Sequence, residues 1–399
     1  MEFGRRDLLV AAATLAATSS GVARAAPDRK LGYAIVGLGY YGLDVIIPEF
    51  AKCAHSRLAA VVSGDPAKAR RVAAAHGLPD RSVYSYATFD RIRDNPDIDI
   101  VYICLPNAMH AEYTIRAARA GKHVLCEKPM AMSVAESEAI AAAAKASGRH
   151  FALAFTYSGY PMIEEARARV ARGDLGAIRL VQVEYLQGWL SLPIDGDGNR
   201  QAEWRTDPAR AGLGGCLGDI GTHAFHLAEH VCALRVEAVS ADLTTHVPGR
   251  RLDDDVSAML RFEGGARGML KASQVAAGEE NALKLRVYGE RGGLEWAQME
   301  PNTLVMRWLD RPAEIVRTGG PALQPGVAAL TRTPSGHPEG YIEAFANLYR
   351  AFAATVRGEG GRWFPGVVDG LRTMRFIEAV IANAASDRKW SPLYPGETE

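Results

Sequence analysis

Tyr33-Ala-Ile-Val-Gly-Leu-Gly-Tyr-Tyr-Gly42 is a short apolar run that passes straight into Gly37-x-Gly39-x-x-Gly42 and then into a segment of helical periodicity. A dinucleotide fingerprint requires this strand–turn–helix context. In such a turn Gly37 permits the sharp reversal, Gly39 lets the backbone approach a pyrophosphate, and Gly42 lets helix and strand pack closely. The helix start then offers unpaired N–H groups to the phosphates. Tyr40 and Tyr41 sit inside the turn and join the three glycines as candidate cofactor contacts. The competing reading is a ligand-free glycine-rich turn, since the chain holds 40 glycines in 399 residues.

Outward from this turn, short apolar runs alternate with helical segments as far as Phe155. The runs are Tyr33 to Val36, Leu58 to Val62, Ile100 to Cys104, His123 to Cys126 and Phe151 to Phe155, with a weak strand near Val83. The helices fall at Tyr41 to Phe50, Pro66 to His76, Ala111 to Ala120 and Ser133 to Ala146. This alternation predicts an α/β fold, a Rossmann doubly wound parallel sheet of six strands. Beyond Phe155 the alternation stops, and Val181 to Leu186, Val256 to Phe262, Gly268 to Gln274 and Leu283 to Tyr288 read as strands with hairpin-like separations. They predict a C-terminal α+β domain with a largely antiparallel open sheet, closed by helices at about Tyr341 to Arg357 and Gly366 to Ala384. The expected division is an export signal at 1–26, a nucleotide-binding domain at 27–156 and a substrate-binding and oligomerisation domain at 157–399.

The segment 1–26 carries Arg5-Arg6, an apolar stretch from Leu8 to Ala16 and a small-x-small site at Ala23-Arg-Ala25. That pattern is an export signal, too short in its apolar part to span a bilayer. The paired arginines fit the twin-arginine type, with a general secretory signal as the alternative, so a periplasmic protein cleaved near Ala25 is expected. Forty-six basic residues balance forty-six acidic ones, so no global field favours nucleic acid or an anionic membrane. Five cysteines form no C-x-x-C pair and no metal-finger spacing.

Strand two ends in Ser63-Gly64-Asp65-Pro66-Ala67-Lys68, where an NAD-binding sheet usually places a carboxylate for the ribose 2'-hydroxyl. A hydroxyl at Ser63 with Lys68 nearby suits a 2'-phosphate instead, which points to NADP ahead of NAD. Asp65 turned inward would reverse that, and Lys68 reads equally as a solvated helix residue. Ligands sit at the carboxyl edge of such sheets. There strand four ends in Leu105-Pro106-Asn107-x-x-His110 and strand five in Glu127-Lys128-Pro129. These residues are candidates to flank a nicotinamide, with His110 open to the plainer reading of a satisfied histidine at a helix start.

In the second half a glycine-rich stretch, Gly212 to Gly218, leads into Asp219-Ile-Gly-Thr-His223. On a helix, residues four apart share a face, and a carboxylate beside an imidazole orients a general base. A carboxylate at a helix start and a core histidine are the plainer readings. His226 and His230 add metal-ligating residue types, but H-E-x-x-H is missing and these histidines fall partly on different faces. No metal is expected.

Taken together, these motifs resemble the family of glucose-fructose oxidoreductase, inositol dehydrogenase and MocA proteins over essentially all of the chain after the signal. The Gly32 to Gly39 segment and Val-Ser63-Gly with Lys68 look closest to its exported, NADP-using sugar oxidoreductases. The resemblance implies that Lys128, Asp219 and His223 are the catalytic group: His223 as base, Asp219 orienting it, and Lys128 binding the reacting oxygen. The loop from Gln187-Gly-Trp189 to Trp204-Arg205 would line a sugar pocket, with Trp204 stacking on a pyranose and Arg205 binding hydroxyls, though Trp204 reads equally as core. The resemblance further implies a homodimer or homotetramer formed on the open sheet.

The chain departs from glucose-fructose oxidoreductases in carrying His223 where they have tyrosine, and in the short stretch between Ala25 and the first strand where they have a long arm. The expected activity is NADP-dependent oxidation of an aldose or related pyranoside, with bound cofactor recycled by a second sugar. The alternatives are an NAD-dependent glycosidase working through transient oxidation, or a non-catalytic sugar- or cofactor-binding protein.

Overall fold

β1 (Leu31–Val36) is buried at all of its positions, as a run in the middle of a parallel sheet covered on both faces must be. The computed structural model describes residues 29–321, 323–360 and 363–394. The expected export signal at 1–26 lies outside the described residues. β2 (Ser56–Val62), β3 (Val83–Tyr84), β4 (Ile100–Ile103), β5 (His123–Cys126) and β6 (Phe151–Leu153) join β1 in the order β3-β2-β1-β4-β5-β6, all parallel. This is the doubly wound order that the alternation predicts, and β3 is the weak strand near Val83.

Helices Pro66–Ala75, His110–Arg119 and Val134–Ser147 connect the strands. The side chain of Asp65 caps the first of these and Pro66 opens it, so the start of the helix is fixed by two residues suited to that place. The segment after the fingerprint is less regular than periodicity suggests: Tyr41–Ile46 is a π turn, Ile47–Glu49 α and Phe50–Lys52 a 3-10 turn. Pro48 has no N–H with which to continue an α ladder there.

The second sheet contains β7 (Ile178–Leu186), β8 (Val236–Thr244), β9 (Asp255–Phe262), β10 (Arg267–Ser273), β11 (Ala282–Gly289), β12 (Gly292–Ala297), β13 (Thr303–Trp308), β14 (Glu314–Arg317) and β15 (Ser391–Pro392). Their order is β14-β13-β12-β11-β7-β10-β9-β8-β15, and only the central β7–β10 pair is parallel. Helices Pro161–Ala171, Thr222–Cys232 and Val367–Ala384 cover one face. Burial alternates along β9, so the other face is open. Met259 and Met269 are paired across β9 and β10 on that face and are 56% and 59% exposed.

Helix Tyr341–Val356 packs across the two parts of the chain. Its sequence position lies within 157–399, yet Phe345, Tyr349 and Phe352 pack against the first sheet in one apolar cluster with Tyr33, Phe50 and Tyr102. The Tyr349 ring lies 5.5 Å from Phe50 and 5.6 Å from Tyr33. Each aromatic buried this way contributes roughly 1.5–3 kcal/mol, enough to bring a distant helix back over β1 and β4. Among the described residues no helix is long and apolar enough to cross a membrane. All five cysteines are free thiols, four of them buried.

Candidate active site

The carboxyl ends of β1, β4 and β5 meet residues from β7, the short helix Arg200–Arg205 and the π turn Leu217–Gly221 around a cleft of about 810 Å³. At its nucleotide end the three glycines do what the fingerprint requires. Gly37 has a φ of +101°, and a Cβ there would lie 2.2 Å from the Cys104 carbonyl oxygen; one on Gly42 would lie 2.5 Å from that of Gly37. A Cβ on Gly39 would meet nothing within 4 Å, so this backbone faces open space. The cradle therefore fits the pyrophosphate of a nicotinamide dinucleotide. Tyr40 and Tyr41 line it, and the Tyr41 hydroxyl lies 2.8 Å from that of Tyr341.

Ser63, Gly64 and Lys68 line the same end of the cleft. Asp65 lines it too, and one oxygen of its carboxylate accepts the Lys68 N–H at 3.0 Å as the helix cap, a bond that lowers its proton affinity. The Lys68 ammonium donates to the Leu38 carbonyl at 3.3 Å, which places a cation beside the glycine turn.

At the other end Lys128 extends from the loop after β5, Asp219 from the π turn and His223 from the first turn of Thr222–Cys232. The glycine-rich approach to Asp219 is fastened by the buried Asp253, whose two oxygens each accept a backbone N–H, from Gly215 and Leu217, at 2.7 Å. The Lys128 ammonium donates to the Asp219 carboxylate at 2.8 Å and to its carbonyl at 2.6 Å. An ammonium has three N–H bonds, and the third remains for a substrate oxygen. Arg205 Nε and Gln274 Nε2 donate to the second carboxylate oxygen at 3.2 and 2.9 Å. Burial pushes the Asp219 carboxyl up, but Lys128 and Arg205 outweigh it and hold the group well below the usual carboxylate range.

Burial, reinforced by the Lys128 charge, holds the His223 imidazole well below its ordinary value. It is therefore neutral near pH 7 and able to take a proton. Its ring packs edge-on against Tyr157 at 4.8 Å and Phe155 at 5.5 Å, and its buried Nδ1 has no hydrogen-bond partner. Among the described residues no hydrogen bond joins Asp219 to His223, contrary to the expected pairing. Three other donors occupy the carboxylate, so Asp219 acts on His223 through charge and on Lys128 through contact.

Every expected site residue except His110 lines this one cleft, including Leu105, Pro106, Asn107, Glu127, Trp204 and Arg205. His110 is fully buried outside it, its ring nitrogens 2.8 Å from the Leu105 and Pro129 carbonyls. It ties the end of β4 to the loop bearing Lys128 and is corrected from a cofactor contact to a structural residue. Arg205 is bonded to Asp219 and Gln201 and lies 4.2 Å over the Trp204 ring. It therefore covers one of the indole faces expected to meet a sugar. His226 and His230 stack on Phe155 and Trp363, and no group of three or more potential ligands among the described residues could hold a metal ion.

A polar wall joins Gln187 and Trp189, which the sequence placed at the sugar pocket, to Tyr157, Tyr185 and Asn281, which sequence reasoning missed. Tyr157 and Tyr185 hydroxyls lie 2.5 Å apart, Tyr185 donates to Asn281 Oδ1 at 2.6 Å, Gln187 donates to the same oxygen at 2.7 Å, and Trp189 donates to Gln187 at 3.0 Å. Tyr157 lies in the 3-10 turn Thr156–Gly159 just beyond the end of β6, so the strand-end rule was a usable signal for it; Asn281 carried none.

Fold and site together define an oxidoreductase with a nicotinamide-cofactor fold. The profile described as "Oxidoreductase family, NAD-binding Rossmann fold" matches residues 31–155 and that of the GFO/IDH/MocA C-terminal domain matches 163–295. The chain belongs to the Gfo/Idh/MocA family and is a sugar or polyol oxidoreductase. It is 31% identical to levoglucosan dehydrogenase of Pseudarthrobacter phenanthrenivorans, over 74% of this chain and 80% of that one. An inositol dehydrogenase homolog from Azotobacter vinelandii, solved with NAD+, is 33% identical over 91% of this chain and 97% of its own, with a TM-score of 0.86. Aldose-aldose oxidoreductase from Caulobacter crescentus, solved with glycerol, is 34% identical over 91% of this chain and 100% of its own, with a TM-score of 0.76.

Proposed function

We propose that the protein is an exported, periplasmic oxidoreductase that uses NADP to oxidise an aldose or related pyranoside and recycles the bound cofactor with a second sugar. The observation that carries this reading is the meeting, in one cleft, of Lys128, Asp219 and His223 with a nucleotide end that offers Ser63 and Lys68, where one oxygen of Asp65 is taken up by its helix cap. A bound nicotinamide supplies the hydride acceptor. His223 takes the hydroxyl proton, and Lys128, held by Asp219, donates its free N–H to the same oxygen and favours its developing negative charge. The wall of Tyr185, Gln187, Asn281 and Trp189 offers the mixture of hydroxyl, amide and indole groups that a polyhydroxylated ring requires. The Caulobacter relative, whose name makes one aldose oxidant for another, supports the recycling step. The open face of the second sheet suits a second copy of the chain, giving a homodimer or homotetramer.

The test is to denature purified mature protein, prepared without added nucleotide, and weigh what it releases. Near-stoichiometric NADP(H) is expected. NAD(H) would overturn the assignment of Ser63 and Lys68 and favour the glycosidase alternative, while an empty protein would overturn cofactor retention.

A further inference from the structure

The backbone of Asp219 and its carboxylate both lead back to Asp253 and Asp254, two buried residues just before β9 that take no part in the chemistry above. Asp253 grips three consecutive N–H groups at the entry to the π turn. Its two carboxylate oxygens accept those of Gly215 and Leu217 at 2.7 Å, and its carbonyl accepts that of Cys216 at 2.8 Å. The Gly215 carbonyl in turn accepts the Asp219 N–H at 2.9 Å. On the other side the Asp254 carbonyl accepts the Gln274 N–H at 2.9 Å, and Gln274 Nε2 donates to the Asp219 carboxylate at 2.9 Å.

The grip requires glycine. A Cβ on Gly215 would lie 2.3 Å from the Asp253 carbonyl oxygen and 2.9 Å from the Leu252 Cβ, so any other residue there would part the two segments. Burial pushes the Asp253 carboxyl up to about 6, against the pull of the Leu217 and Gly215 N–H groups. It is therefore ionised near pH 7, with both oxygens free to accept, and bonds of this charge-assisted kind are among the stronger ones.

We propose that Asp253 is a positioning residue for hydride transfer: by holding Gly215, Cys216 and Leu217 it sets the backbone of Asp219 and, through that backbone, the Lys128 ammonium. This rests on the roles given above to Lys128 and His223. The link is direct, because Lys128 donates to the Asp219 carbonyl at 2.6 Å as well as to its carboxylate at 2.8 Å. A change of rotamer at Asp219 leaves that carbonyl in place, whereas a shift of the turn carries carbonyl and ammonium together. His223 follows the turn by two residues, and the Thr222 hydroxyl between them donates to the Gly218 carbonyl at 3.0 Å, so the base rides on the same backbone. Displacing reacting groups by about 1 Å costs roughly 10²-fold in rate.

The experiment follows single turnovers of enzyme loaded with oxidised nicotinamide, by absorbance, using whichever of glucose, xylose and myo-inositol reduces it fastest. Wild type is compared with Asp253→Asn, Gly215→Ala and the double variant. The amide keeps one accepting oxygen and turns an NH2 against the other N–H, while the added methyl parts the turn from an intact Asp253. Each single variant is expected to slow the rate by about tenfold or more, keeping the amplitude per bound cofactor and a sugar KM within a few-fold. The double variant is expected to be no slower than the slower single one, since both break the same link. A role in folding alone lowers the amplitude and leaves the rate; that result, a loss under tenfold, or losses that multiply in the double variant each overturn the proposal. If no sugar reduces the nicotinamide of wild type, the function falls, and the clamp is read in cofactor-free protein by amide hydrogen exchange. Asp253→Asn should then speed exchange over residues 215–223 and leave the rest unchanged, and unaltered protection there overturns the proposal. If neither single variant folds, the Gly215 and Leu217 amides of wild type decide: slow exchange supports the clamp, and exchange as fast as in exposed loops overturns it.

Discussion

His223 is the residue on which the chemistry turns, and its surroundings fix the form in which it works. Phe155 and Tyr157 shut water from the ring and Lys128 places a positive charge nearby, so the imidazole is neutral where a free histidine would be partly charged. A positioned base contributes about 10²–10⁴-fold. His223→Asn should therefore lower kcat by that order with KM for the sugar within a few-fold and cofactor binding unchanged; a loss of under tenfold in steady-state assays would remove His223 as the base. The sequence showed this residue and its neighbours Lys128 and Asp219, because each stands in a short motif. It did not show who bonds to whom. Spacing of four between Asp219 and His223 suggested a pair, but Arg205 and Gln274, 14 and 55 residues from Asp219, hold the carboxylate, and nothing local announces them.

At the scale of the element, the fingerprint strand and most strands that share its sheet were legible because they are apolar runs with glycine or proline close by, while two-residue β3, between Ser82 and Ser85, read only as a weak strand. β8, β12, β13, β14 and β15 were not, since edge and half-exposed strands alternate polar with apolar residues and resemble loops. The C-terminal helix Tyr341–Val356 was legible as a helix but not in its docking, which brings Tyr349 to Glu49. Burial raises the Glu49 carboxyl to about 10, above its unfolded value. The fold thus holds this proton, and the associated stability is complete below the ordinary carboxylate range and declines as pH rises towards 10. Glu49→Gln removes the titration, so it should raise stability by roughly 2–4 kcal/mol at pH 8 and by clearly less at pH 5.5. Chemical denaturation at the two pH values checks this, and a gain independent of pH would refute it.

The whole molecule balances its charges, 46 basic against 46 acidic, and its notable surface is the open face of the second sheet. Leu180, Met259 and Met269 are each half or more exposed on the adjacent strands β7, β9 and β10. Apolar groups set together in this way suit the second copy of the chain proposed above. A Met269→Lys substitution on the proposed interface should reduce the solution mass to that of one chain in light scattering; a wild-type monomer, or an unchanged oligomer in the variant, would reject this face as the contact.

The return of helix Tyr341–Val356 to the first sheet also bears on how such enzymes are recombined. Cutting near residue 156 and grafting a relative's nucleotide-binding half onto this chain would set foreign side chains against Phe345, Tyr349 and Phe352. The natural exchangeable module is discontinuous, two stretches of gene rather than one, and a cofactor preference transplanted without the second stretch would arrive on a scaffold missing one of its walls.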